Sequence, residues 1–245
     1  MSWFSDWFNS PYYHMLYQHR DEDEASQFIH SLIRRLQPPA QSTMLDVACG
    51  KGRHSRVLSE LGYDVTGIDL AADSILEAKK FENEHLHFYQ HDMRLPFWIN
   101  YYQYAFNFFT SFGYFKTRRE HDNAIRTIAQ ALTQSGTFVI DYLNAHFAED
   151  HLVASEVKRV NQVSFHITRW HSETHFFKKI QIEDAGQFIG GDYTEKVAKF
   201  SLGDFTDMLA YQGMQVQEVF GDYQMGPYDI RRSPRMIIIA KKFQP

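Results

Sequence analysis

Asp46, Ala48, Gly50 and Gly52 fall in the run Met44-Leu45-Asp46-Val47-Ala48-Cys49-Gly50-Lys51-Gly52, where small residues follow an apolar stretch. Glycine at positions 50 and 52 lets the chain turn tightly and leaves room for a ligand against main-chain atoms, which a Cβ would obstruct. Asp69 ends the next apolar stretch, Val65-Thr66-Gly67-Ile68-Asp69, and Asp92 follows the one after it. A carboxylate at the end of a second strand can accept hydrogen bonds from both hydroxyls of a ribose, so the expected ligand carries a nucleoside. Either acid alone reads equally well as the cap of the segment behind it. The glycine turn followed by two such acids makes capping the weaker account. A dinucleotide fingerprint would need a third glycine where Ser55 stands, and no G-x-x-x-x-G-K-[ST] phosphate loop occurs.

Such residues need a scaffold that brings successive strand ends to one edge. A helix is predicted over 22–36, where Ala25, Phe28, Ile29, Leu32, Ile33 and Leu36 recur at helical spacing, with acids first and Arg34 and Arg35 last. Pro38 and Pro39 stop it. Strands over 44–47, 63–68, 86–90 and 104–109 are then interleaved with helices over 52–61 and 72–81, a βαβαβ pattern that dictates a parallel sheet. Thr117 and Glu120 spell a capping box before a further helix, and Gly136 precedes an apolar strand over 137–143. Residues 156–200 change to two-residue alternation, as in Val163, Phe165 and Ile167, with turns expected at 171–174 and 183–186. A second capping box, Ser201 and Asp204, introduces the last helix, and strands over 215–220 and 236–240 close the chain.

At 245 residues the chain suits one main domain with an elaboration rather than two full ones. Hydrophobic residues at 44% against 22% charged exclude extended disorder. A net charge of -5 argues against broad binding to a phosphate backbone. Cys49 is the single cysteine, so no intrachain disulfide can form, and a cytoplasmic location is expected. No run reaches membrane-spanning length, and residues 1–14 lack the basic start of a signal peptide. Trp3, Phe4, Trp7 and Phe8 read as a packed helix face rather than a membrane anchor, because no Lys or Arg accompanies them.

Together, Asp46-x-Ala48-x-Gly50-x-Gly52, Asp69 and Asp92 resemble the successive motifs of the class I S-adenosylmethionine-dependent methyltransferases, over residues 44–143. Residues 10–25, 107–115 and 233–242 are similar to a bacterial small-molecule branch of that family. The resemblance implies an α/β, Rossmann-like fold, a seven-stranded and mostly parallel sheet with helices on both faces. Residues 1–40 would form an N-terminal helical cap, 41–150 and 201–245 the cofactor-binding domain, and 151–200 an antiparallel β insertion covering the acceptor. The implied cofactor is S-adenosyl-L-methionine, with S-adenosyl-L-homocysteine as product. By the resemblance, Gly50 and Gly52 lie beside its methionine part, Asp69 on the ribose, and Asp92 with Met93 near adenine, with Asp46, Ala48 and Leu70 also at the cofactor. Asn107 and Phe108 would border the transferable methyl. Arg20 is the candidate partner of the cofactor's carboxylate, since Arg binds carboxylates bidentately. The chain departs from the pattern with Ala48 where the first glycine often stands, and with Gln103 where an acid often opens the fourth strand. Asn107-Phe108-Phe109 replaces the N-P-P-[YF] of enzymes acting on bases or planar amides.

Methyl transfer from a sulfonium needs an in-line lone pair, and positioning with desolvation supplies much of the rate. The expected acceptor is an N or O atom of a small molecule. Where a proton must be removed, Tyr17, His19, Tyr142 and His146 are the candidate bases, each of which reads as well as a surface or packing residue. The aromatic residues of the cap and insertion fit a ring-bearing or cationic acceptor, and equally a core. Two rivals stand beside this reading. One is a modifier of transfer RNA whose bases would stack on those aromatics, against which the near balance of charge over 158–199 weighs. The other is a cofactor-binding interaction protein without catalysis. No metal is expected, because neither His85, His87 and His91 nor His166, His171 and His175 form a recognised ligand motif. A monomer or homodimer is expected.

Overall fold

The computed structural model describes residues 7, 10–17 and 22–243. The main sheet has seven strands in the order β10-β11-β5-β4-β1-β2-β3. Its parallel part comprises β1 (Thr43–Val47), β2 (Asp64–Asp69), β3 (Leu86–Gln90), β4 (Tyr102–Asn107) and β5 (Leu132–Leu143). The antiparallel strands β11 (Arg235–Lys242) and β10 (Met214–Phe220) extend it beyond β5. Chain order reverses on either side of β1, so β1 and β4 flank the crevice in which open α/β sheets bind ligands.

Alternation along the strands sorts side chains into two cores. Leu45, Phe138, Ile140, Met236 and Ile238 face α5 (Arg118–Ala131) and α7 (Leu202–Ala210). Met44, Val139, Ile237 and Ile239 face α2 (Glu22–Leu36), α3 (Arg53–Glu60) and α4 (Ala72–Ala78), so helices cover both faces. Both predicted capping boxes form: Glu120 N–H donates to Thr117 Oγ1 at 3.3 Å, and Asp204 N–H to Ser201 Oγ at 3.2 Å. They fix where α5 and α7 begin by satisfying amides that have no partner inside the helix.

Among the boundaries that differ from the sequence expectation are the end of the fourth strand and the start of the fifth. The fourth strand ends at Asn107, because Phe109 N–H donates to Asp141 Oδ2 at 2.8 Å and Thr110 N–H to the Asp141 carbonyl at 3.0 Å. Phe109 and Thr110 both take φ of +57°, and their apolar, β-branched composition hides this turn. The fifth strand begins at Leu132 rather than Thr137: Leu132 already pairs with Tyr102, and an irregularity around Ser135, at φ +60°, absorbs the extra residues.

The insertion is a separate four-stranded antiparallel sheet of β6 (Ser155–Val160), β7 (Val163–His171), β8 (His175–Asp184) and β9 (Gln187–Ala198). It follows the short α6 (Ala145–Asp150). One face, with Phe165, Ile167, Ile180 and Ile182, packs on Trp7 and on Leu16 of α1 (Pro11–Tyr17). Trp7 is therefore a packing residue; Trp3, Phe4 and Phe8 lie outside the described residues. No helix among the described residues is long and apolar enough to cross a membrane.

Candidate active site

A cleft of about 570 Å³ opens at the carboxyl ends of β1, β2 and β4, within the size range of small-molecule sites. Ala48, Gly50, Asp69, Leu70, Met93 and Phe108 line it, together with Tyr17 of α1 and Glu195 of β9. The cleft is thus walled by the main sheet, the N-terminal helix and the insertion.

Gly50 has φ +57°, and a Cβ built on it would meet nothing within 4 Å, so its main chain faces open cleft. Asp69 is tied into that turn. Its Oδ2 accepts from Gly50 N–H and its Oδ1 from Ala71 N–H, each at 2.8 Å. Burial raises the Asp69 pKa, and the backbone donors at Ala71, Gly50 and Leu70 oppose the shift. Each carboxylate oxygen keeps a lone pair that can receive a hydroxyl. A bare glycine backbone beside a half-buried carboxylate is what a ribose bearing an amino-acid arm requires, and these residues fit S-adenosylmethionine.

Several residues expected at the cofactor have partners within the fold. Asp46 does not line the cleft: it is buried beneath the turn, where its Oδ2 accepts from Ser55 Oγ at 2.6 Å. Burial pushes its pKa up to about 7 against the lowering effect of the Ser55 bond. A Cβ on Gly52 would lie 2.4 Å from Phe88 Cζ, so that ring fills the side on which a side chain would stand. Glycine is needed here for a φ of +79° and for the ring packed against it. Asn107 is fully buried and off the cleft, its Nδ2 donating to the Val47 carbonyl at 2.9 Å and locking β4 to β1. Asp92 lines the cleft but folds back on Arg94, which donates from Nη2 at 2.6 Å. Burial works against that carboxylate, yet the side-chain and backbone bonds from Arg94 hold its pKa below the usual range.

Among the candidate bases, Tyr142 is a core residue whose hydroxyl donates to the Ala198 carbonyl at 2.6 Å, so it cannot reach an acceptor. His146 lies on α6, away from the cleft lining. Tyr17 lines the cleft, and its hydroxyl donates to Glu195 Oε1 at 2.8 Å. His19 and Arg20 lie outside the described residues. Among the described residues no group of three or more His, Cys, Asp or Glu is arranged to hold a metal ion.

Sequence reasoning missed Glu195, Arg53 and His54. His54 packs its ring on Phe108 at 4.7 Å between centroids, and the Arg53 guanidinium lies 4.7 Å from the Phe109 ring centre. Both follow Gly52 directly, so the turn that orients Gly50 also aims the first turn of α3 at the cleft. The missed support is Asp141. Fully buried, it accepts from Phe109 N–H, from Tyr223 hydroxyl at 3.2 Å and from Arg235 Nε at 2.8 Å, while Arg235 Nη2 donates to Thr110 Oγ1 at 2.9 Å.

A crevice at the reversal point of a parallel sheet, with a glycine turn and a ribose-competent acid, defines an adenosine-cofactor site on a Rossmann-like fold. The sequence profile described as methyltransferase domain matches residues 17–216, and the chain belongs to that family as an S-adenosylmethionine-dependent enzyme. A relative from Streptomyces venezuelae, dTDP-3-amino-3,4,6-trideoxy-alpha-D-glucopyranose N,N-dimethyltransferase, is 30% identical over 72% of this chain and 77% of its own. The structure of an S-adenosylmethionine-dependent methyltransferase from Clostridium acetobutylicum superposes with a TM-score of 0.78, at 14% identity, covering 95% of this chain and 96% of that one. CalS10, an amino pentose methyltransferase from Micromonospora echinaspora solved with its cofactor bound, gives 0.67 at 19% identity over 92% and 93% of the two chains.

Proposed function

We propose that this enzyme transfers the methyl group of S-adenosylmethionine to a nitrogen atom of a small polar molecule. The observation that carries the reading is the cleft itself, whose lining joins Gly50 and Asp69 to aromatic side chains, Tyr17 and Glu195. Relatives whose names specify amino-sugar N-methylation support nitrogen as the acceptor atom.

In this reading the Gly50 backbone lies beside the methionine arm, and Asp69 with Leu70 receives the ribose. Met93 flanks the adenine, and Phe108 borders the reacting carbon. The bound cofactor supplies an electrophilic methyl on a sulfonium. The protein's part is to hold an amine lone pair in line with it and to keep water out, for which Phe108, Phe109 and Tyr114 provide apolar walls. An amine that binds with a free lone pair needs no dedicated base, consistent with the core placement of Tyr142.

Incubating the protein with isotopically labelled S-adenosylmethionine and a fractionated metabolite extract, then identifying the labelled product by mass, tests the proposal. A labelled N-methyl product is expected. Label found only in O-methyl products or in RNA would refute the nitrogen acceptor.

A further inference from the structure

Glu195 lines the cleft, and its two carboxylate oxygens are partnered unequally. Its Oε1 accepts from Trp7 Nε1 and from Tyr17 hydroxyl, each at 2.8 Å. Its Oε2 has, among the described residues, only the Lys178 ammonium for company, at 3.9 Å and so beyond hydrogen-bond reach. The residue is 8% exposed and lines the cleft that also holds Asp69 and Gly50. A carboxylate oxygen without a hydrogen bond on a residue that lines a ligand cleft has room for a donor on the ligand.

The surroundings suit an amine. The Lys178 ammonium sits 4.5 Å from the centre of the Tyr17 ring and hydrogen-bonds the Tyr17 hydroxyl, so this corner already accommodates one ammonium against an aromatic face. Tyr13 and Tyr17, with ring centres 4.8 Å apart, line the same wall. Glu195 is held in place by two separate elements. It pairs with Lys178 across β8 and β9, while Trp7 and Tyr17 reach it from the N-terminal segment, so its direction is set before any acceptor arrives.

We propose that Glu195 Oε2 binds an N–H of the acceptor's amino group, making an amine-bearing molecule, rather than its hydroxyl counterpart, the substrate class. This rests on the methyltransferase reading above. The amine lone pair forms the new N–C bond while the C–S bond breaks and its electron pair stays on sulfur. Positive charge thereby moves onto the nitrogen, which Glu195 faces, and the surplus proton leaves to solvent. A carboxylate hydrogen-bonded to N–H both aims the lone pair away from itself and stabilises the charge as it develops. A hydroxyl acceptor would also have to lose its proton to a base, a step that an amine with a free lone pair does not need.

The test uses the full chain saturated with S-adenosylhomocysteine and follows the Trp7 indole N–H resonance, assigned with Trp7→Phe, because that proton lies on the Glu195 carboxylate. Cyclohexylamine should shift the resonance saturably below about 50 mM, and the matched alcohol cyclohexanol at least about tenfold more weakly, a difference of about 1.4 kcal/mol. Glu195→Gln keeps an acceptor for Trp7 and Tyr17 but should abolish the preference for amine. Equal shifts with amine and alcohol, no saturable shift with the amine, or an unchanged preference in Glu195→Gln would each overturn the proposal. S-adenosylmethionine affinity, measured by calorimetry, should stay within about twofold in Glu195→Gln, which separates failure at the acceptor corner from failure of the donor-site reading.

Discussion

Replacing Arg235 by Met removes the cation that holds the loop after β4. Arg235 is 18% exposed and donates to Asp141, which is fully buried, and to Thr110 Oγ1. Removing one partner of a buried pair costs about 3–5 kcal/mol because the other charge is left uncompensated. Phe109 N–H and Tyr223 hydroxyl still donate to Asp141, which places the expected loss near the lower end, about 3 kcal/mol. For a chain of 245 residues that corresponds to a fall in Tm of roughly 6–12 °C. The double variant Arg235→Met with Asp141→Asn should recover about half of the loss, since the carboxamide oxygen still accepts from Phe109 N–H and no lone charge remains buried. Phe109 and Thr110, left-handed at φ +57°, lose part of what constrains them, so methyl transfer should fall further than the residual folded fraction accounts for. Thermal and urea unfolding of the wild type, both single variants and the double variant gives the coupling. A Tm within about 2 °C of wild type for Arg235→Met, or additive effects in the cycle, would refute the reasoning.

Other outcomes follow from the same geometry. Asp46 has its folded pKa raised from 3.8 to about 7, so its protonated form favours folding. Its contribution is fully present below about pH 4 and is lost as pH rises through about 7, a change of about 4 kcal/mol. Asp46→Asn should flatten the pH dependence of Tm across that window relative to wild type, and parallel curves would count against the assignment. Gly52→Ala must hold φ +79° and displace the Phe88 ring, and should cost at least about 2 kcal/mol in chemical denaturation, partly recovered by Phe88→Leu. Full stability in Gly52→Ala would show that the ring yields freely. Thr117→Ala removes one half of the α5 capping box and should cost about 1 kcal/mol, whereas Thr117→Ser should be close to neutral.

The parallel sheet and its edge were legible because hydrophobic period and capping chemistry are local. Thr117 with Glu120, and Ser201 with Asp204, announce their helices within four residues. Gly50 and Asp69 were equally plain, since a strand end and a bare backbone declare themselves by position. The roles of Asp46, Gly52 and Asn107 were not, because whether such a residue meets a ligand or the core depends on Ser55, Phe88 and Val47 folding over it. Glu195 was hidden for a stronger reason. Its face of β9 is set by pairing with β8, where the register shifts between Ile180 and Ile182, and its donors Trp7 and Tyr17 stand 188 and 178 residues away.

Isothermal calorimetry with S-adenosylmethionine and S-adenosylhomocysteine on the wild type and on Asp69→Ala addresses the donor site most directly. Asp69 orders the turn by accepting from the Gly50 and Ala71 amides, and in the proposed donor site its carboxylate receives the ribose. Two hydrogen bonds to a charged group, worth about 1.5–3 kcal/mol each, predict that Asp69→Ala weakens both ligands by at least about 100-fold. The wild type should bind each at one site, and far-ultraviolet circular dichroism should show the variant folded. Absence of binding to the wild type, or equal affinity in a folded Asp69→Ala, would contradict the account.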